Sequence, residues 1–202
     1  MAADVYAYAA DAPVPPGSLP RDVSAFTGRA LMVLANAGID RLEANERQFR
    51  TVLHASYGQL DDADRRLFRL LGLHRGTDFD AAAAAGLADV DLSTATAALG
   101  RLVYAHLVTE GAPGRFALHD LLHLFARQTC DETDDQAARD AAQTRLVAHY
   151  AELARNLEAS LDLATFEAEL PNLLAAMQLA SRNGWHEKVW QLGWRSTGRS
   201  VT

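Results

Sequence analysis

From about residue 30 onward, apolar side chains recur at helical rather than strand spacing. Between Ala30 and Leu60 the residues Leu42, Phe49, Val52 and Leu53 follow this period and Gly38 interrupts it, which predicts two short helices. Asp61 or Asp62 can cap the next helix, whose apolar positions are Leu67, Phe68, Leu70 and Leu71, with Asp64 in the first turn facing the positive end of the helix dipole. Residues 72–76, bounded by glycines, end it. An alanine-rich helix follows over 79–87. Ser93 is the expected cap of a third helix, which places Ala95, Leu99, Leu102, Val103 and His106 on one face.

The period then changes. Two short β-prone runs, 107–110 and 115–118, flank the turn-forming stretch from Gly111 to Gly114 and predict a hairpin, after which a helix starts near Asp120. The acid-rich residues 131–140 read as a loop or helix start. Beyond them, Leu146, His149, Tyr150, Leu153 and Leu157 share one helical face, and Leu170, Leu173, Leu174, Met177 and Leu179 supply the apolar face of another helix. Asn183 and Gly184 then introduce the aromatic-rich "WHEKVWQLGW", the pattern of an αα-hairpin. The expected fold is mainly α: three helices and a hairpin in the order of a winged helix, then a helical hairpin resembling a tetratricopeptide-type repeat. Four domains are expected: a proline-rich linker over 1–29, a short helical segment over 30–58, a winged helix over 59–130 and a repeat-like helical region over 131–202. The linker rests on Pro13, Pro15, Pro16 and Pro20, which remove amide donors and exclude helix.

Composition narrows the function classes. The chain has 202 residues, 49% of them hydrophobic, enough for a real core, and a formal charge of −7. That charge repels nucleic acid unless cations gather on one face. Between Asp61 and Arg127, seven arginines meet nine carboxylates, so the segment that would dock on DNA is itself acidic. Cys130 has no second cysteine to pair with, no run approaches the length of a membrane span, and the acidic N-terminal stretch has no basic flank of a signal peptide. A soluble protein in the reducing cytoplasm is the expectation.

The stretch "FALHDLLHLF" holds His119 and His123 one helical turn apart, the spacing of a zinc-protease motif. Aspartate is too short to copy the glutamate base of that motif, His119 falls at a helix entrance, and no third ligand is marked out. The plainer reading has His119 and Asp120 ordering a strand-to-helix junction. Neither Cys130 nor any serine sits in a nucleophile elbow, so no catalytic residue and no metal ligand is expected.

Three stretches, "HASYGQLDDADRRLFRLLGLHRGTDFD", "AALGRLVYAHLVTEGAPGRFALHDLLHLFAR" and "LPNLLAAMQLASRNGWHEKVWQLGW", together resemble the winged-helix and early tetratricopeptide-like parts of actinobacterial NB-ARC proteins, signal-transduction ATPases of the STAND class. In that family a Met-His-Asp motif follows the wing and its histidine senses the β-phosphate of ADP; the matching residues are Leu118, His119 and Asp120. Phe26, Gly28 and Arg29 resemble the segment that enters the family's nucleotide-binding domain. The sequence holds no G-x-x-x-x-G-K-[ST] loop to cradle phosphates, and its only lysine is Lys188. An internal deletion or a shortened relative would account for this. The resemblance therefore implies a non-catalytic regulatory or protein-interaction module with a nucleotide-sensor-like His119 and Asp120 and no resident cofactor, ADP or ATP entering only where a phosphate site survives. Protein capture or self-association is expected through Trp185, Trp190 and Trp194. The alternatives are a winged-helix DNA-binding regulator contacting DNA through Arg101 and Arg115, and a residual ADP-responsive switch.

Overall fold

The computed structural model describes residues 53–185. The chain divides into two units, Met1–Ser56 and Tyr57–Thr202. Of the first, only residues 53–56 are described, so the expected linker over 1–29 and nearly all of the short helical segment lie outside the described residues. The second unit is mainly helical and holds together the segments expected as separate domains before and after residue 130.

Its elements are helices α1 (Asp62–Leu71), α2 (Ala81–Ala88) and α3 (Leu92–Tyr104), strands β1 (Thr109–Glu110) and β2 (Phe116–Ala117), and helices α4 (Asp120–Thr133), α5 (Gln136–Ser160) and α6 (Leu163–Arg182). Five of these six helices begin at an aspartate whose carboxylate accepts the amide three residues on: Asp61, Asp80, Asp91, Asp135 and Asp162. The expected cap Ser93 is the second residue of α3 instead, its hydroxyl donating to Asp91 at 2.5 Å. His106, expected on the buried face of α3, lies beyond the helix end in a left-handed conformation with φ of 56° and is exposed.

The two strands pair antiparallel, Thr109 opposite Ala117 and Glu110 opposite Phe116. On the other edge of β2, Phe79 exchanges both backbone hydrogen bonds with Phe116 at 2.8 Å, so the loop before α2 is fastened to the hairpin. Gly114 takes φ of 74° in the turn, a conformation that favours glycine.

The core forms where α1 packs on α2, α3 and α4, and where α5 packs on α2 and α6. Phe68, Leu71, Leu99, Leu102 and Leu122 are fully or almost fully buried there. The run "AAAAAGLA" of α2 lets α5 approach closely, and Arg145 of α5 donates to the carbonyls of Gly86 and Leu87 at 3.1 and 3.0 Å. Contrary to the sequence pattern, Leu170 and Leu174 of α6 are exposed. The buried face of that helix carries Glu169, Asn172, Leu173, Ala176, Leu179 and Ala180.

Candidate functional site

His119 is the N-cap residue of α4, directly after the hairpin. Its backbone is extended, its carbonyl accepts the amide of His123 at 2.8 Å, and its side chain makes no capping hydrogen bond. The imidazole is exposed, as is the carboxylate of Asp120 in the first helical turn. His119 therefore does not order the junction with its side chain. His123 turns to another task, its Nε2 lying 2.7 Å from the carbonyl of His74. Among the described residues no group of three or more His, Cys, Asp or Glu side chains converges as a metal site would.

Beside the hairpin lies a polar cluster built from three elements. Arg115, at the foot of β2, donates to Asp78 from Nη2 at 2.5 Å and to Glu169 of α6 from Nη1. Asn172, one turn further along α6, donates to Glu169 at 2.8 Å and to Asp78 at 3.2 Å. The Arg115 guanidinium holds the Asp78 carboxyl below its usual range. Next to the cluster, Gly76 donates its amide to Nδ1 of His74 at 3.2 Å, so the neutral ring carries its proton on Nε2 and donates it to Tyr150, 2.7 Å away. Burial pushes the Tyr150 hydroxyl up and the His149 imidazole down.

Of the residues singled out from the sequence, Arg115 thus ties the hairpin to α6, and Arg101 grips Asp64 between α3 and α1. Both arginines reserved for DNA spend donors inside the fold. Trp185 is half-buried, its amide donating to Ala180 at 2.9 Å; Trp190 and Trp194 lie outside the described residues. Sequence reasoning missed Asp78, Glu169, Asn172 and His74. Their partners are up to 94 residues away, and only the acid and amide breaking the apolar face of α6 hinted at them.

Cys130 is fully buried and its thiol is pushed up to about 12, first by burial, which leaves it unreactive. No helix among the described residues is long and apolar enough to cross a membrane.

The curated relatives that the chain matches are regulatory proteins. The chain is similar to two proteins called regulatory protein AfsR. That of Streptomyces griseus is 42% identical over 114 residues, covering 55% of this chain and 12% of the relative. That of Streptomyces coelicolor is 37% identical over 116 residues, with the same coverage of 55% and 12%. The match thus takes in about an eighth of the length of these relatives. No family model matches the chain, and no solved structure matches it.

Proposed function

We propose that the chain is a non-catalytic regulatory module that works by binding protein, derived from a STAND-class NB-ARC signalling protein. The observation that carries this reading is the likeness of more than half of the chain to the two regulatory proteins. The order α1, the bridged Phe79, α2, α3 and the hairpin supports a winged helix in the unit. The exposed, uncapped His119 at the start of α4 fits the sensor position that the family resemblance implies.

The proposed role is binding rather than nucleotide turnover because one histidine on a phosphate contributes ~1–3 kcal/mol, whereas micromolar affinity needs about 8 kcal/mol. The sequence has no phosphate-cradling loop to supply the rest. DNA binding ranks lower, since Arg101 and Arg115 would have to leave Asp64, Asp78 and Glu169 to reach a phosphate. A surface for protein is at hand on α6, where Leu163, Leu170 and Leu174 lie along one exposed stripe at i, i+7 and i+11.

The test is affinity capture of the tagged chain from an extract of its host, with and without nuclease. A protein retained after nuclease treatment is the expected result. Recovery of DNA alone would favour the winged-helix regulator. Calorimetric titration with ADP and magnesium separates the switch alternative: micromolar binding that disappears in His119→Ala would replace the scaffold reading.

A further inference from the structure

Helix α6 turns a face of no net charge to solvent. Its exposed residues from Leu163 to Arg182 include one acid, Glu167, and one base, Arg182; its other carboxylate, Glu169, is buried against Arg115. At about 100° per residue, Leu163, Leu170, Leu174 and Ser181 fall within about 40° of arc, and both charges lie toward the same edge of that stripe. The three leucines are 64%, 38% and 46% exposed.

Neither charge makes an ion pair among the described residues, and the helix itself explains why. One turn from Glu167 stand Leu163, Ala164, Leu170 and Pro171, and one turn before Arg182 stand Gln178 and Leu179, so neither has an opposite charge in reach on its own helix. From Glu167 to Arg182 is about 22 Å along the helix axis, and Leu174 lies midway.

We infer that α6 is the contact between two copies of this chain, packed antiparallel about a two-fold axis at Leu174, with Glu167 of each copy facing Arg182 of the other. This deepens the protein-binding reading above and rests on it. The layout of the face selects both the occupant and its direction. Acid and base sit at equal distances from Leu174 on one edge, so turning the helix end for end brings each charge onto its opposite. Parallel pairing would set acid level with acid and base with base. A foreign segment of either charge would suit one end of the face and not the other. Copies of a chain of net charge −7 repel one another, and a face that cancels its own charges removes that repulsion where they touch. Leucine then meets leucine at the axis, where apolar area leaves water without stranding a charge. One helix pair buries less than the ~1,200–2,000 Å² of a standard interface, so the dimer should dissociate on dilution.

Sedimentation velocity of the full chain from micromolar to submillimolar concentration tests the contact. The wild type should pass from monomer to dimer, and Leu174→Glu should stay monomeric throughout. Glu167→Arg and Arg182→Glu should each weaken the dimer about tenfold, since each sets like charges together at both ends, whereas Glu167→Arg/Arg182→Glu exchanges the charges and should restore it. All three positions are exposed, and unchanged thermal melting verifies that the variants are folded. A monomer at every concentration, a dimer indifferent to Leu174→Glu, or an exchange variant no better than the single ones would each overturn the inference. Host-extract capture keeps the two readings apart. A monomeric chain that still retains a host protein loses this contact and leaves the regulatory module standing, whereas a chain that neither associates nor retains protein loses both.

Discussion

Arg101 on α3 holds Asp64 on α1 through two parallel hydrogen bonds, Nε at 2.6 Å and Nη2 at 2.7 Å. The pair is asymmetric: the carboxylate is 3% exposed and the guanidinium 50%. Removing the arginine strands a buried charge, while removing both partners does not. Arg101→Ala should therefore cost about 1–3 kcal/mol, and Asp64→Leu/Arg101→Leu should recover much of it. Urea unfolding of the single and double variants measures the difference. A loss of DNA binding in Arg101→Ala would have to be judged against this loss of stability.

Two helix-associated glycines should respond to alanine with opposite signs. At Gly72 a Cβ would run into the α4 backbone at Ala126 and Arg127, atoms that cannot rotate away. Gly72→Ala should destabilise by about 2 kcal/mol or more. Gly100 lies within α3 with nothing within 4 Å of its would-be Cβ, so Gly100→Ala should stabilise by about 0.5–1 kcal/mol through helix propensity alone. Melting temperatures moving in the same direction would contradict this account of the α1–α4 contact.

Acid should weaken the fold through His74 before its carboxylates titrate. Burial holds this imidazole down to about 4, with His123, Arg115 and His149 acting in the same sense against the pull of Asp78. The unfolded chain takes up a proton near the ordinary histidine value of 6.5 that the native ring refuses. Stability is thus fully present above that value and is lost as pH falls toward about 4, by at most about 3 kcal/mol. His149, also pushed down by burial, adds to the same slope. Asp78 and Asp134, held down by Arg115 and Arg69, contribute further losses as pH falls through the ordinary carboxylate value and below it. Urea midpoints across this interval should show a clear slope, flatter in His74→Gln. An unchanged slope would remove His74 as its source.

The helices were legible because local chemistry marks them: an aspartate at each entrance except that of α4, and apolar residues at helical spacing. Where two caps competed, at Asp91 and Ser93, the carboxylate won and took the serine hydroxyl as an extra donor. The face of α6 was misread for a different reason. A leucine count favours the side with Leu170 and Leu174, but α5 offers Ala142, Ala151 and Ala154, and small residues on α6, Ala176 and Ala180, are buried in turn. Of the cluster of Arg115, Asp78, Glu169 and Asn172, the sequence offered no more than a polar break in the apolar pattern of α6. The cluster exists only once the hairpin, the loop before α2 and α6 have met, and no spacing within a single element encodes that meeting.

His119 supplies the last test, because it holds the N-cap position of α4 without doing the work of a cap. Its backbone is already extended, as a cap requires, and its imidazole leaves the amides of the first turn without a side-chain acceptor. The other five helices use aspartate in that place. Serine there could accept the amide of Leu121 or Leu122 and should stabilise the protein by about 0.5–1 kcal/mol, whereas His119→Ala should change stability by less than about 0.5 kcal/mol. Thermal and urea unfolding of the two variants measure this. A more stable His119→Ser would mean that histidine stands here at some loss of stability, as a residue kept for contact with a ligand would. If His119→Ser is instead destabilising, the imidazole supports the fold, and the sensor-like reading of this position loses its structural basis.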